Sequence, residues 1–253
     1  MRERIFDAIK SRNAYIEVRI EKRESNRIRF RGRSIDEISA SSDLGGFIRA
    51  LAPNGGWGVV TFNRIEELEK RVKDAIELSR SIVPKEEIKL ADVEPVDVKI
   101  KEEIKDDFRK YTLLEKKAVI ENYNDILLSH SDYIIDTTTA YADSFLTTYY
   151  ANTDGTYIEK ERADCLVMIG AIARKNGNVQ QAWEARSSRV SFGDLKGLDG
   201  IAKEVAERAT KLLDAEPVKA GRYTVILDNF LAGVFIHEAF GHLSEADHIF
   251  ENP

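Results

Sequence analysis

The chain has 253 residues, enough for one large domain or two small ones, and 43% of them are hydrophobic, which supplies a sizeable core. The formal net charge of −6, with no dense basic patch, argues against nucleic acid as a main partner. The single cysteine, Cys165, excludes an intrachain disulfide, the N-terminus lacks an apolar signal segment, and the longest apolar run falls short of the ~20 residues that span a bilayer, so the chain reads as soluble and cytoplasmic, with no membrane partner.

Residues 1–12 read as a short helix. From Ala14 the sequence alternates apolar and polar residues, with Tyr15, Val18, Ile20, Ile28 and Phe30 at the spacing of half-buried strands. Strand-like stretches follow in EISASSDLGGFIRAL and GWGVVTF, separated by turn-rich APNGGWG, whose glycines read as turns because they match no nucleotide-binding fingerprint. RIEELEKRVKDAIELSRSI is helical: Ile65, Leu68, Val72, Ile76 and Ser79 share a face, with Asn63 expected as its N-cap. Residues 83–112 are charged, weakly patterned and read as a connector. The helix LLEKKAVIENYNDILLSH follows, then long strand-patterned segments with hairpin turns expected at Asp154–Gly155 and Asn176–Gly177.

VTFNRIEEL at 60–68 and VSFGDLKGL at 190–198 share a pattern, and each opens an amphipathic helix. The simplest reading is a duplicated unit; the alternative is that strand–turn–helix joints commonly look alike. The expected fold is therefore α+β: duplicated units of antiparallel strands followed by an amphipathic helix, then a strand and a buried helix. The corresponding division is 1–82, a connector at 83–112, 113–219, and 220–253.

The final segment begins as an expected strand, RYTVIL, after which Asp228 or Asn229 caps a helix that is apolar nearly all round and so is expected to be buried. That helix carries His237-Glu238-Ala239-Phe240-Gly241-His242. Titratable groups in such a setting need compensation, and zinc supplies it: imidazoles ligate the ion, and a neighbouring glutamate takes a proton from bound water. The spacing is unusual. In a regular α-helix residues i and i+5 lie about 140° apart, so the two imidazoles meet only if the helix widens by a π-type turn or loosens at Gly241. The other reading is a core helix whose histidines bond to backbone carbonyls.

The stretch AGRYTVILDNFLAGVFIHEAFGHLSEAD resembles the TldD/PmbA family of zinc metallopeptidases, which also carry the name of DNA gyrase modulators. The HExxxH of the TldD-type members is intact, whereas PmbA-type members generally lack it. The region from Ala14 through the first amphipathic helix is similar to the N-terminal part of the family. The resemblance implies that His237 and His242 ligate zinc and that Glu238 is the general base. It implies unstructured peptides as substrates, held as extended strands, and a homodimer or a complex with a TldE/PmbA-type partner. It also implies a third ligand, a cysteine, in a C-terminal half beyond Pro253. The expectation is thus the N-terminal part of a TldD-like peptidase that holds zinc weakly and cleaves little by itself. Cys165, His248, Glu245, Asp247, Glu251 and His130 are weaker candidates for the missing ligand. The competing reading is a non-catalytic dimerisation and regulatory module.

Overall fold

The computed structural model describes residues 1–10, 13–84 and 90–251, with side chains as far as His248 in the last stretch. Two compact units are present, Met1–Ala215 and Glu216–Pro253. The first is built on one seven-stranded sheet: β1 (Tyr15–Arg31), β2 (Ser34–Leu51), β3 (Trp57–Phe62), β4 (Asp97–Ile100), β5 (Ile134–Asn152), β6 (Tyr157–Lys175) and β7 (Asn178–Ser188). The strand order is β3-β2-β1-β5-β6. On the outer edge of β6, β4 pairs in parallel at Tyr157–Lys160 and β7 pairs antiparallel at Cys165–Lys175. The remaining ladders are antiparallel. Among the described residues four α-helices belong to this unit: α1 (Arg2–Ile9), α2 (Leu68–Ser81), α3 (Leu113–His130) and α4 (Asp199–Lys211).

The repeat seen in the sequence is present in three dimensions. A helix, a three-stranded meander, a 3-10 turn and a second helix occur twice in order, as α1-β1-β2-β3-α2 and α3-β5-β6-β7-α4. The two copies meet along β1 and β5, which pair antiparallel from Glu17↔Asn152 to Arg31↔Thr138 about a centre at Glu24↔Phe145. Phe62 and Phe192, matched in the two sequence motifs, are both buried. Alternation explains the burial. Val18, Ile20, Ile28 and Phe30 point to the helix-covered face, whereas Arg19, Arg23 and Arg27 take the opposite side. The hairpin turns fall where expected, with left-handed backbone at Gly155 (φ 100°) and at Asn176 and Gly177 (φ 50° and 86°).

Four expectations need correction. Asn63 does not cap α2; the helix is entered through a 3-10 turn, Ile65–Glu67, with no side-chain cap. The segment read as a connector contributes β4, which uses the exposed edge of β6, while residues 85–89 of it lie outside the described residues. In the second unit residues 222–227 form no strand, because no other strand of that unit offers a ladder. The unit consists instead of α5 (Asn229–Ile236), a π-helical turn (His237–Gly241), a 3-10 turn (His242–Ser244) and α6 (Ala246–Glu251). The apolar residues of α5 are exposed, Phe230 by 72% and Phe235 by 58%, where burial was expected: among the described residues of this unit no layer covers them. No helix among the described residues is long and apolar enough to cross a membrane.

Candidate metal centre

Asp228 starts the motif-bearing segment. Its carboxylate accepts from the Leu231 backbone N–H at 2.7 Å, which satisfies one of the orphan donors at the start of α5. The helix then widens at the histidines. Residues His237–Gly241 form a π-helical turn, closed by the His242 backbone N–H donating to the His237 carbonyl. That single five-residue loop cancels the angular offset an α-helix would impose on an i, i+5 pair. The two imidazoles are brought edge to face, with ring centroids 4.7 Å apart and planes at 70°. His237, Glu238 and His242 each present a ligand atom within 4.8 Å of the others.

Of the two distortions that could unite the histidines, the π-turn is the one present. Gly241 does not use glycine's conformational freedom: its φ and ψ are −57° and −54°, ordinary helical values. A Cβ there would meet the His237 Nδ1 at 3.6 Å, an ordinary contact. The chain leaves the π-turn through a tighter 3-10 turn, in which the Ser244 hydroxyl donates to the Gly241 carbonyl at 2.9 Å. Glu245 follows in extended conformation and ends the helical path, so α6 does not continue it.

The polar contacts of His242 are distinct at its two nitrogens. Nδ1 lies 2.7 Å from the Glu245 carboxylate, and Nε2 lies 3.8 Å from that of Glu238. The site is open: the side chains of His242 and Glu238 are 49% and 65% exposed. Burial is therefore not what demands an ion here. The convergence of two imidazoles and a carboxylate is the feature that fits one, and this donor set suits zinc. A catalytic zinc usually has three protein ligands besides water, and this group supplies two histidines, with Glu238 beside them.

The other candidates behave differently. Cys165 lies in β6 of the first unit, buried, with its thiol donating to the Ser188 carbonyl at 3.2 Å. Burial pushes that thiol up to about 11, so it stays protonated near neutral pH and is poorly suited to bind a metal. His130 is the exposed last residue of α3. Glu245, Asp247 and His248 form a second close group, all exposed. The side chain of Glu251 lies outside the described residues. The sequence offers Glu245 only as a weaker candidate for the missing ligand and does not reveal its contact with His242; the i, i+3 spacing of the pair is the available signal.

Comparison with known proteins follows the same geography. The model of PmbA/TldA metallopeptidase domain 1 matches residues 16–79, and that of the PmbA/TldA metallopeptidase central domain matches residues 106–213. A metalloprotease of Synechocystis is 37% identical over 240 residues, which is 94% of this chain and 51% of the relative. A metalloprotease of Methanocaldococcus jannaschii is 33% identical over 256 residues, covering 94% of this chain and 53% of the relative. The chain thus spans about half the length of these curated relatives. Among solved structures, a Bacteroides thetaiotaomicron protein described as a candidate modulator of DNA gyrase has the same fold, with a TM-score of 0.78 at 18% identity over 94% of this chain and 54% of that one. TldE from Thermococcus kodakarensis is more distant, with a TM-score of 0.59 at 16% identity over 83% of this chain and 45% of that one. Two consecutive domain models of one family, falling on the two halves of the sheet, make this chain a member of the TldD/PmbA metallopeptidase family.

Proposed function

We propose that the chain carries the HExxxH portion of a zinc-dependent peptidase site, with His237 and His242 as metal ligands and Glu238 as general base. The π-turn supports this reading most directly, since it joins two side chains that a regular helix would separate. Bound zinc would polarise a scissile carbonyl and acidify a water molecule. Glu238 is adjacent to the first ligand and its carboxylate lies 3.8 Å from the second. In that place it takes the proton of the attacking water and returns it to the leaving amine. The substrate class is unstructured peptide, bound as an extended strand. Assembly is with a second copy or with a TldE/PmbA-type partner. The proposed organisation is two αβ units, 1–82 and 113–219, joined by 83–112 and followed by the motif-bearing segment 220–253.

One observation favours a second reading, a non-catalytic dimerisation and regulatory module. The histidine pair is exposed, and its group holds two imidazoles where a catalytic zinc usually has three protein ligands besides water. Zinc titration separates the readings. Under the peptidase reading the chain binds about one zinc, weakly, and His237→Ala or His242→Ala lowers that affinity. In a chain completed with the C-terminal half, Glu238→Gln retains zinc and abolishes cleavage of an unstructured peptide. Zinc affinity indifferent to both histidine substitutions overturns the peptidase reading.

A further inference from the structure

The two nitrogens of His242 face two different carboxylates, and this asymmetry has chemical content. The Glu245 Oε1 lies 2.7 Å from Nδ1, at hydrogen-bond distance, whereas the Glu238 Oε2 is 3.8 Å from Nε2, beyond it. An ionised carboxylate only accepts, so the short contact requires the hydrogen on Nδ1. In a neutral imidazole the other nitrogen then carries the lone pair. That nitrogen is Nε2, on the side of His242 that faces Glu238.

The backbone makes this contact possible. After the π-turn the path tightens to 3-10, held by the Ser244 hydroxyl on the Gly241 carbonyl and by the Glu245 N–H on the His242 carbonyl at 3.3 Å. Glu245 then turns out of the helix with ψ 136°. Its carboxylate meets the ring across an i, i+3 interval, on the opposite nitrogen from the motif glutamate.

We propose that Glu245 is a positioning residue: it fixes the tautomer and orientation of His242 so that Nε2 is the nitrogen offered to the metal. The role rests on the metal reading above. It follows a general rule, that a ligating histidine donates its second ring nitrogen to an acceptor that sets its orientation and raises its basicity. Glu238 is left free for proton transfer, and the two carboxylates that flank His242 have separate tasks.

The test uses the full 253-residue chain without metal. Long-range ¹⁵N–¹H correlation spectra report which ring nitrogen of His242 carries hydrogen. The expected result is hydrogen on Nδ1 in the parent chain, a shift toward the Nε2–H form in Glu245→Ala, and retention in Glu245→Gln, whose amide oxygen still accepts. Zinc affinity, read by competition with a chromophoric chelator, is expected to fall about 10–100-fold in Glu245→Ala and less in Glu245→Gln. An unchanged tautomer in Glu245→Ala overturns the proposal, and so does a changed tautomer with unchanged affinity. His242→Ala serves as the control. If it weakens zinc while Glu245→Ala does not, only the positioning role fails; if it too leaves zinc binding unchanged, the metal reading fails with it.

Discussion

Lys116 and Asp143 form an ion pair at 2.5 Å with both side chains only 1% exposed. The surrounding groups complete it. The Tyr141 hydroxyl donates to Asp143 at 2.7 Å, and the Asn26 backbone and side-chain amides donate to its other oxygen at 3.2 and 2.9 Å. Burial, with Asp143 adding to it, raises the Tyr141 hydroxyl far above its ordinary range, so it remains a donor. A pair of this kind is weak evidence for net stability but costly to break on one side, because the remaining charge stays buried. Lys116→Met is expected to destabilise the protein by about 3–5 kcal/mol in urea unfolding. The double change Lys116→Met with Asp143→Asn should lose less than the single one. Nothing local in the sequence marks this pair. Lys116 sits in the charged Glu115–Lys117 stretch of α3, and its partner lies on β5, a contact set only by tertiary packing.

At the scale of elements, α2 and β3 approach until side chains are excluded. A Cβ added to Gly58 would fall 2.2 Å from the Ala75 carbonyl oxygen and 2.6 Å from the Ser79 amide nitrogen. Both obstacles are backbone, so neither can rotate away. Gly58→Ala is expected to cost about 1–3 kcal/mol, the range for overpacking, with a lowered midpoint in thermal unfolding. The sequence suggested a turn for these glycines, and for Gly58 that was the wrong reason: it lies inside a strand, where a glycine marks close backbone approach. Elements with strong periodicity were legible. The extent of α3 and both hairpin turns were read correctly because each is specified by neighbouring residues. The middle of β1 was not, since Lys22–Arg27 is almost wholly polar and is held as strand by β2 on one side and β5 on the other. In the candidate metal centre, the need for a helix distortion was legible from the spacing alone. The choice of a π-turn over a break at the glycine depended on backbone hydrogen bonding, which residue types do not record.

For the first unit as a whole, the two halves exchange core residues across their seam. Ile28 and Phe30 of β1 pack into the cluster with α3 and α4, while Ala151 of β5 and Tyr157 of β6 pack into the cluster with α1 and α2. Neither cluster is complete without the other half. Unfolding of the two halves should therefore be coupled. Two tryptophans provide independent reporters, Trp57 on β3 and Trp183 on β7. Variants retaining one tryptophan each are expected to give coincident urea transitions; separated midpoints would mean that the seam does not transmit unfolding.

The antiparallel meeting of β1 and β5 about Glu24↔Phe145 also bears on how such a chain can diverge. A contact with that local dyad is the kind that two identical molecules make with each other, and in such a homodimer every substitution appears on both sides at once. Once both sides are written into one polypeptide, that constraint is gone. The two halves already differ in this way, with a leading helix of eight residues in α1 and of 18 in α3. Covalent linkage thus releases each side of a symmetric scaffold to specialise without the other having to follow.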